Sequence, residues 1–228
     1  MTFSIVARCA DTGMFGVAVS SSSPAVAARC AYAQAGVGAV ASQNVTDPTL
    51  GTRGLDLMAR GASAAEAIEI LRRTGAHIDY RQVLAVDALG GSAIHSGPNA
   101  LGIWAEARGP GNGSGVACGG NLLANGGVPQ AMVEAFLGSS GHLGDRLVTV
   151  MQAGLAAGGE AGPVHSAGMR LVREVAWPVA DLRVDWSEGD PIAELANLWE
   201  IYKPQLDAYV TRALNPTDAP SYGVPGDE

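Results

Sequence analysis

A threonine stands second in this chain, and trimming Met1 leaves its hydroxyl within reach of its own α-amine. Thr is small enough for methionine aminopeptidase to work ahead of it, so trimming is the expectation. A hydroxyl is a weak nucleophile until a base takes its proton. An α-amine titrates near about 7.7–8.0, far below a lysine, so a useful fraction accepts a proton at neutral pH. One residue then supplies nucleophile and base, directly or through one water. The plain alternative is a threonine that only begins a strand, where threonine is common.

Other side chains offer supporting chemistry. Asn121 follows Cys118-Gly-Gly at an expected strand end, where flexible glycines let backbone N–H groups and the amide point at a developing oxyanion. An ordinary Gly-Gly-Asn turn is the alternative. His95 sits beside Ser96 on an expected strand, either orienting substrate or shuttling protons, or satisfied by hydrogen bonds in the core. Cys118 reads as core, because nothing nearby in sequence lowers its pKa.

Several chemistries are not encoded. His77, His95, His142 and His165 are scattered without paired-ligand spacing, so no metal is expected. Gly109–Gly115 (GPGNGSG) fits neither the dinucleotide fingerprint nor the P-loop, so no cofactor is expected. Ser20–Ser23 lacks a nucleophile-elbow frame and reads as the polar end of a strand. The formal charge is −8 and the only lysine is Lys203, which argues against nucleic-acid or membrane partners. That charge favours a neutral or cationic small molecule. Cys9, Cys30 and Cys118 read as reduced, buried thiols of a cytoplasmic protein. The start of the chain has neither a basic leader nor a long apolar run, and no segment reaches membrane-spanning length.

The elements that must position these residues follow from periodicity. Phe3, Ile5 and Ala7 alternate with Thr2, Ser4 and Val6, and Asp11-Thr-Gly13 turns the chain into a partner strand over Met14–Ser20. Gly36–Gln43 reads as a third strand. Leu55, Met58, Ala65, Ile68 and Leu71 fall at helical spacing, with a capping box at Ser63–Glu66. A hairpin turning at Leu89-Gly-Gly91 follows, then the GPGNGSG loop and a strand at Gly115–Asn121. Two helices come next, one beginning near Pro129 and one with Leu143, Leu147, Val150, Met151 and Leu155 on one face. Two closing strands then lead to a helix running from Ile192 to Val210 behind an Asp190-Pro191 cap. The 228 residues, 47% hydrophobic with 31 glycines and few aromatics, suit one domain over 1–210 and a loose tail over 211–228. Strands returning twice from helix pairs imply an α+β fold, a four-layer α/β/β/α sandwich. Trp186, Trp199, Tyr202 and Tyr209, in or near the last helix, are expected to anchor a homodimer.

That order resembles the N-terminal nucleophile (Ntn) hydrolases. The segments MTFSIVAR, GVAVSS, AGVGAVASQN, IHSG and CGGNLL resemble, more closely, an uncharacterised bacterial domain-of-unknown-function family of that superfamily, from residue 1 to about 200. The resemblance implies an Ntn-hydrolase-like fold with Thr2 as catalytic nucleophile, and no substrate. The chain departs from proteasome-like members, having no lysine before Lys203 and no acid in the Ser20–Ser23 run where their supporting aspartate falls. A neutral polar set around Thr2 is therefore expected: Ser21 and Gln43 as supports, with Asn121 as oxyanion donor. Asn44, His95, Ser96 and Gly120 are assigned to the substrate. The expected function is hydrolysis of a small amide; the alternative is a catalytically silent member of the fold that binds a ligand or a partner.

Overall fold

The computed structural model describes residues 1–110 and 113–226. β1 (Thr2–Arg8) and β2 (Phe15–Ser21) form the opening hairpin, with Phe3 opposite Ser20 and Arg8 opposite Phe15. The chain continues through α1 (Val26–Cys30), β3 (Ala31–Gln34), β4 (Gly38–Gln43), α2 (Thr49–Ala59), α3 (Ala64–Thr74), β5 (Gln82–Asp87) and β6 (Ser92–Ser96). It then runs through β7 (Ala105–Arg108), β8 (Val116–Asn121), α4 (Val128–Gly138), α5 (Leu143–Ala156), β9 (Ser166–Val172), β10 (Ala180–Val184), α6 (Pro191–Tyr202) and α7 (Leu206–Leu214). Two antiparallel sheets result, ordered β10-β9-β2-β1-β8-β7 and β3-β4-β5-β6. The protein has a mixed α and β fold.

Strand alternation sorts the core into three apolar clusters. Phe3, Ile5 and Ala7 of β1 pack with Met132, Phe136, Leu147 and Met151 of α4 and α5. On the other face of β1, Val6 joins Val17 and Val19 to meet Ala39, Ala41, Leu84 and Val86 of the second sheet. The far face of that sheet, with Val40, Val83 and Ala85, packs on Leu50, Met58, Ile68 and Leu71 of α2 and α3. Side chains of period two therefore give each sheet two buried faces. Ser4 and Gln43 share the inter-sheet face with the valines, so polar groups at this level must find partners.

The opening hairpin, the capping box at Ser63 and the β5–β6 hairpin fall where the residues indicate. Other expectations need correction. The third strand starts at Gly38, after α1 and β3, and β7 is a further edge strand; all three are too short for periodicity to register. Ala65 faces solvent, while Ala64 and Ala67 take the buried positions of α3. The last helix is not continuous from Ile192 to Val210. It breaks at a 3₁₀ turn over Lys203–Gln205, because Pro204 has no N–H and crowds the preceding turn. α7 then carries regular structure to Leu214, past the boundary set at 210. Gly111 and Asn112 of the GPGNGSG loop, and Asp227 and Glu228 of the tail, lie outside the described residues.

The aromatic set also divides. Trp199 is buried, with its indole N–H donating to Asp145 at 2.8 Å, so it belongs to the protein's own core. Trp186 and Tyr209 stay exposed. The three cysteines are free and buried. Among the described residues, no helix is long and apolar enough to cross a membrane.

Candidate functional site at the head of the central strand

Thr2 is the first residue of β1, an inner strand flanked by β2 and β8. Register sets Thr2 directly opposite Asn121, the last residue of β8, while Ser21 ends β2 on the other side. The Thr2 hydroxyl donates to the Met1 carbonyl and stands 3.4 Å from the Ser21 hydroxyl. Ser21 Oγ also donates to the Met1 carbonyl and lies 2.9 Å from Ser23 Oγ. Arg29 Nη2 in turn donates to Ser23 Oγ at 2.7 Å. Proton directions follow: Arg29 donates to Ser23, Ser23 to Ser21, and Ser21 to the carbonyl preceding Thr2.

These groups open on a cleft of about 280 Å³, lined among others by Thr2, Arg29, Asn44, Thr46 and Asn121. Backbone strain gathers around it. Five described non-glycine residues have positive φ, and four belong to this region: Ala25 (51°), Asn44 (58°), Val45 (49°) and Leu122 (51°). Asparagine tolerates that conformation, but a β-branched valine does so at a cost. Strain of this kind, of order 1–3 kcal/mol per residue, persists where the surroundings enforce it and concentrates at functional sites. Here Asn44 is pinned from both ends of its amide, donating to the Tyr80 carbonyl at 2.5 Å and accepting from Leu101 N–H at 3.1 Å. A hollow of about 320 Å³ between Gly36, Met58 and Asp87 holds no comparable chemistry. Its Asp87 carboxylate is occupied by the N–H groups of Ala64, Leu89 and Gly91.

Beneath the cleft lies a layer of amides. Gln43 ends β4 opposite Gln82, which begins β5. Gln43 accepts from Ser4 Oγ at 2.7 Å and donates to Gln82 Oε1 at 2.7 Å and to the Gly119 carbonyl at 3.2 Å. Gln82 donates to Ser96 Oγ at 2.9 Å and to the Gly120 carbonyl at 3.3 Å, and accepts from Asn121 Nδ2 at 3.4 Å.

The structure therefore brings Thr2, Asn44 and Asn121 to one cleft, with Ser21 buried beside Thr2, and separates the others from it. Gln43 spends its amide on Ser4, Gln82 and Gly119 and does not touch Thr2. Ser96 and Gly120 attach to the same network through Gln82, and Ser96 also donates to Glu106 at 2.7 Å. His95 is bonded to the Ile78 carbonyl at 3.0 Å, away from the cleft. Gln82, which no motif marks, is the hub of the network.

The neutral set expected around Thr2 is incomplete. Glu160, from the segment between α5 and β9, is buried beside the chain's N-terminus. One carboxylate oxygen accepts from Ser22 N–H at 3.1 Å, and the other has no hydrogen-bond partner among the described residues. Burial pushes this carboxyl up to about 7, opposed by the positive N-terminal amine and by the Ser22 bond. Sequence gives no local sign of it, since its neighbours are glycine and alanine. Cys30 lines the cleft, but burial raises its thiol, and Cys118 is raised further, so neither is a ready thiolate. Among the described residues, no group of three or more His, Cys, Asp or Glu side chains is placed to hold a metal.

These features define a mixed α and β protein with a strained polar cleft at the head of a central strand. Residues 2–195 match a family described as a family of unknown function (DUF1028), and the chain belongs to that family. Protein SPO2555 from Silicibacter pomeroyi, of the same family, has a similar crystal structure: 27% identity, 89% of each chain covered, TM-score 0.80. Anbu (ancestral beta-subunit) from Yersinia bercovieri matches at 11% identity over 91% of this chain and 97% of that one. Its TM-score of 0.38 is too low to establish a shared fold. No curated protein matches the chain.

Proposed function

We propose that this protein is an N-terminal-nucleophile amidohydrolase on a four-layer α/β/β/α sandwich, cleaving a small amide with Thr2 after Met1 is removed. The layering is supported by the three apolar clusters, which follow one another from α4 and α5 through both sheets to α2 and α3. The observation that carries the activity is the pair of hydroxyls, Thr2 and Ser21, converging on the Met1 carbonyl. That carbonyl is bonded, through its carbon, to the Thr2 nitrogen. Removing Met1 frees an amine with Ser21 Oγ beside it and the nucleophile on its own side chain.

The amine, in its neutral form, takes the Thr2 hydroxyl proton as Oγ1 bonds to the substrate carbonyl carbon. Asn121, directly across the ladder, donates to the oxygen that gains negative charge. The amine then passes its proton to the leaving nitrogen as the C–N bond breaks, which leaves an ester on Thr2. Water attacks that ester, gives its proton to the amine, and the proton returns to Oγ1. The balance is one amide and one water consumed, one acid and one amine released. The Gln43–Gln82 network holds Asn121 in place, and Glu160 fixes the charge environment of the amine.

The test is an amide library screened against protein whose intact mass shows Met1 gone, with Thr2→Ala as control. A chain that keeps Met1 has both hydroxyls committed to its carbonyl; in that form the same cleft would only bind a ligand. Absence of turnover by fully trimmed protein would favour that second reading.

A further inference from the structure

We infer that the cleft selects amides carrying a carboxylate a few bonds from the scissile carbonyl, and that Arg29 receives it. Arg29 is the charged side chain lining the cleft that holds Thr2 and Asn121. Its guanidinium is fixed before any ligand arrives: Nη1 donates to the carbonyls of Pro24 at 2.5 Å and Ala25 at 3.2 Å, and Nη2 to Ser23 Oγ at 2.7 Å. Every one of these acceptors is neutral. No described carboxylate forms an ion pair with Arg29. A guanidinium has five N–H donors in a planar fork that matches a carboxylate. Three are used by the protein, so Nε–H and one Nη2–H have no partner among the described residues.

The placement suits a small substrate. From Thr2 Oγ1 the contacts run to Ser21 at 3.4 Å, Ser23 at 2.9 Å and Arg29 at 2.7 Å, so the guanidinium is no further off than those links laid end to end. An attack distance of about 3–3.5 Å and a charge-assisted bond of about 2.8 Å then leave room for only a few bonds between amide carbon and carboxylate. N-acyl amino acids have that spacing. The strained Ala25, at the start of α1, is one of the carbonyls that grip Arg29, so strain and the fixed cation occur together. The formal charge of −8 pointed to a neutral or cationic ligand. Distant surface carboxylates are screened over about 8 Å in physiological salt, whereas Arg29 acts at contact, so the local cation decides.

This inference rests on the Thr2 reading only for which bond is cut, because binding needs no nucleophile. The test is titration of the full chain, by calorimetry or NMR, with a panel of N-acetyl amino acids and their matched carboxamides. At least one acid is expected to bind about tenfold or more tightly than its carboxamide, the scale of a hydrogen bond to a charged partner. Arg29→Gln should erase that preference, so that acid and carboxamide bind this variant alike, with circular dichroism reporting an intact fold. Arg29→Lys, keeping the charge without the fork, should retain part of it. If no acid is preferred, or if the preference survives Arg29→Gln, the inference is overturned. Turnover is read separately on Met-free protein. Cleavage indifferent to Arg29 sinks this inference and keeps the nucleophile; Arg29-dependent binding without cleavage does the reverse.

Discussion

Glu160→Gln should make the protein more stable above neutral pH, by an amount the structure sets. A glutamate begins near 4.5, and burial beside the N-terminus raises this one to about 7. The folded state therefore holds a proton that the unfolded chain has released. Between the two values the native protein binds more protons, so stability falls as pH rises and the loss is complete above the folded pKa. A shift of that size corresponds to about 3 kcal/mol, at about 1.4 kcal/mol per unit. The carboxylate is only 5% exposed, so solvent screening takes little from that figure. Roughly 2 kcal/mol of it should appear between about pH 5.5 and about pH 8. Glutamine keeps the shape and an oxygen for the Ser22 N–H but does not ionise. Urea denaturation of both proteins at the two pH values, with the N-terminus checked by mass, gives the difference directly. The gap in favour of Glu160→Gln should widen by that amount with unchanged urea slope. A gap that stays constant, or narrows as pH rises, would refute the burial argument.

Other outcomes follow from the same geometry. Asn121→Ala should leave a folded protein whose turnover is about 10²–10³ lower, read from kcat at matched stability. Gln82→Leu removes the hub that Gln43, Ser96 and Asn121 share. The buried groups left without partners should lower stability by about 1–3 kcal/mol each, as a shifted urea midpoint. Val45→Gly relieves a β-branched residue at φ 49° and should hold or raise the melting temperature, despite glycine's entropy in the unfolded chain.

How far these features could be read in advance depends on how local their causes are. The opening hairpin was legible because Phe3, Ile5 and Ala7 alternate within seven residues and a turn triplet follows. The Ser63 cap was legible because its partner Glu66 is three residues away. Short elements such as α1 and β7 give periodicity nothing to act on, and Pro204 needed more weight than the apolar run around it. The cleft divides in the same way. Asn121 was placed at a strand end by its glycines, but its position opposite Thr2 depends on β1–β8 register, which no single segment encodes. Gln43 was expected to support Thr2 as part of the neutral polar set that the resemblance called for; the pleat turns it instead toward Ser4 and Gln82. Glu160 and Arg29 reach the site from a loop and a five-residue helix with no motif, and only the folded arrangement sets Glu160 beside the N-terminal amine and Arg29 beside Ser23.

The central claim is a covalent one, and intact mass tests it most directly. Met-free protein incubated with the amide panel and quenched in acid should gain the mass of one acyl group. Peptide mapping should place that group on Thr2, and Thr2→Ala should show none. Folded, fully trimmed protein that gains no mass and turns over no amide, or an adduct mapped to any other residue, would contradict the account.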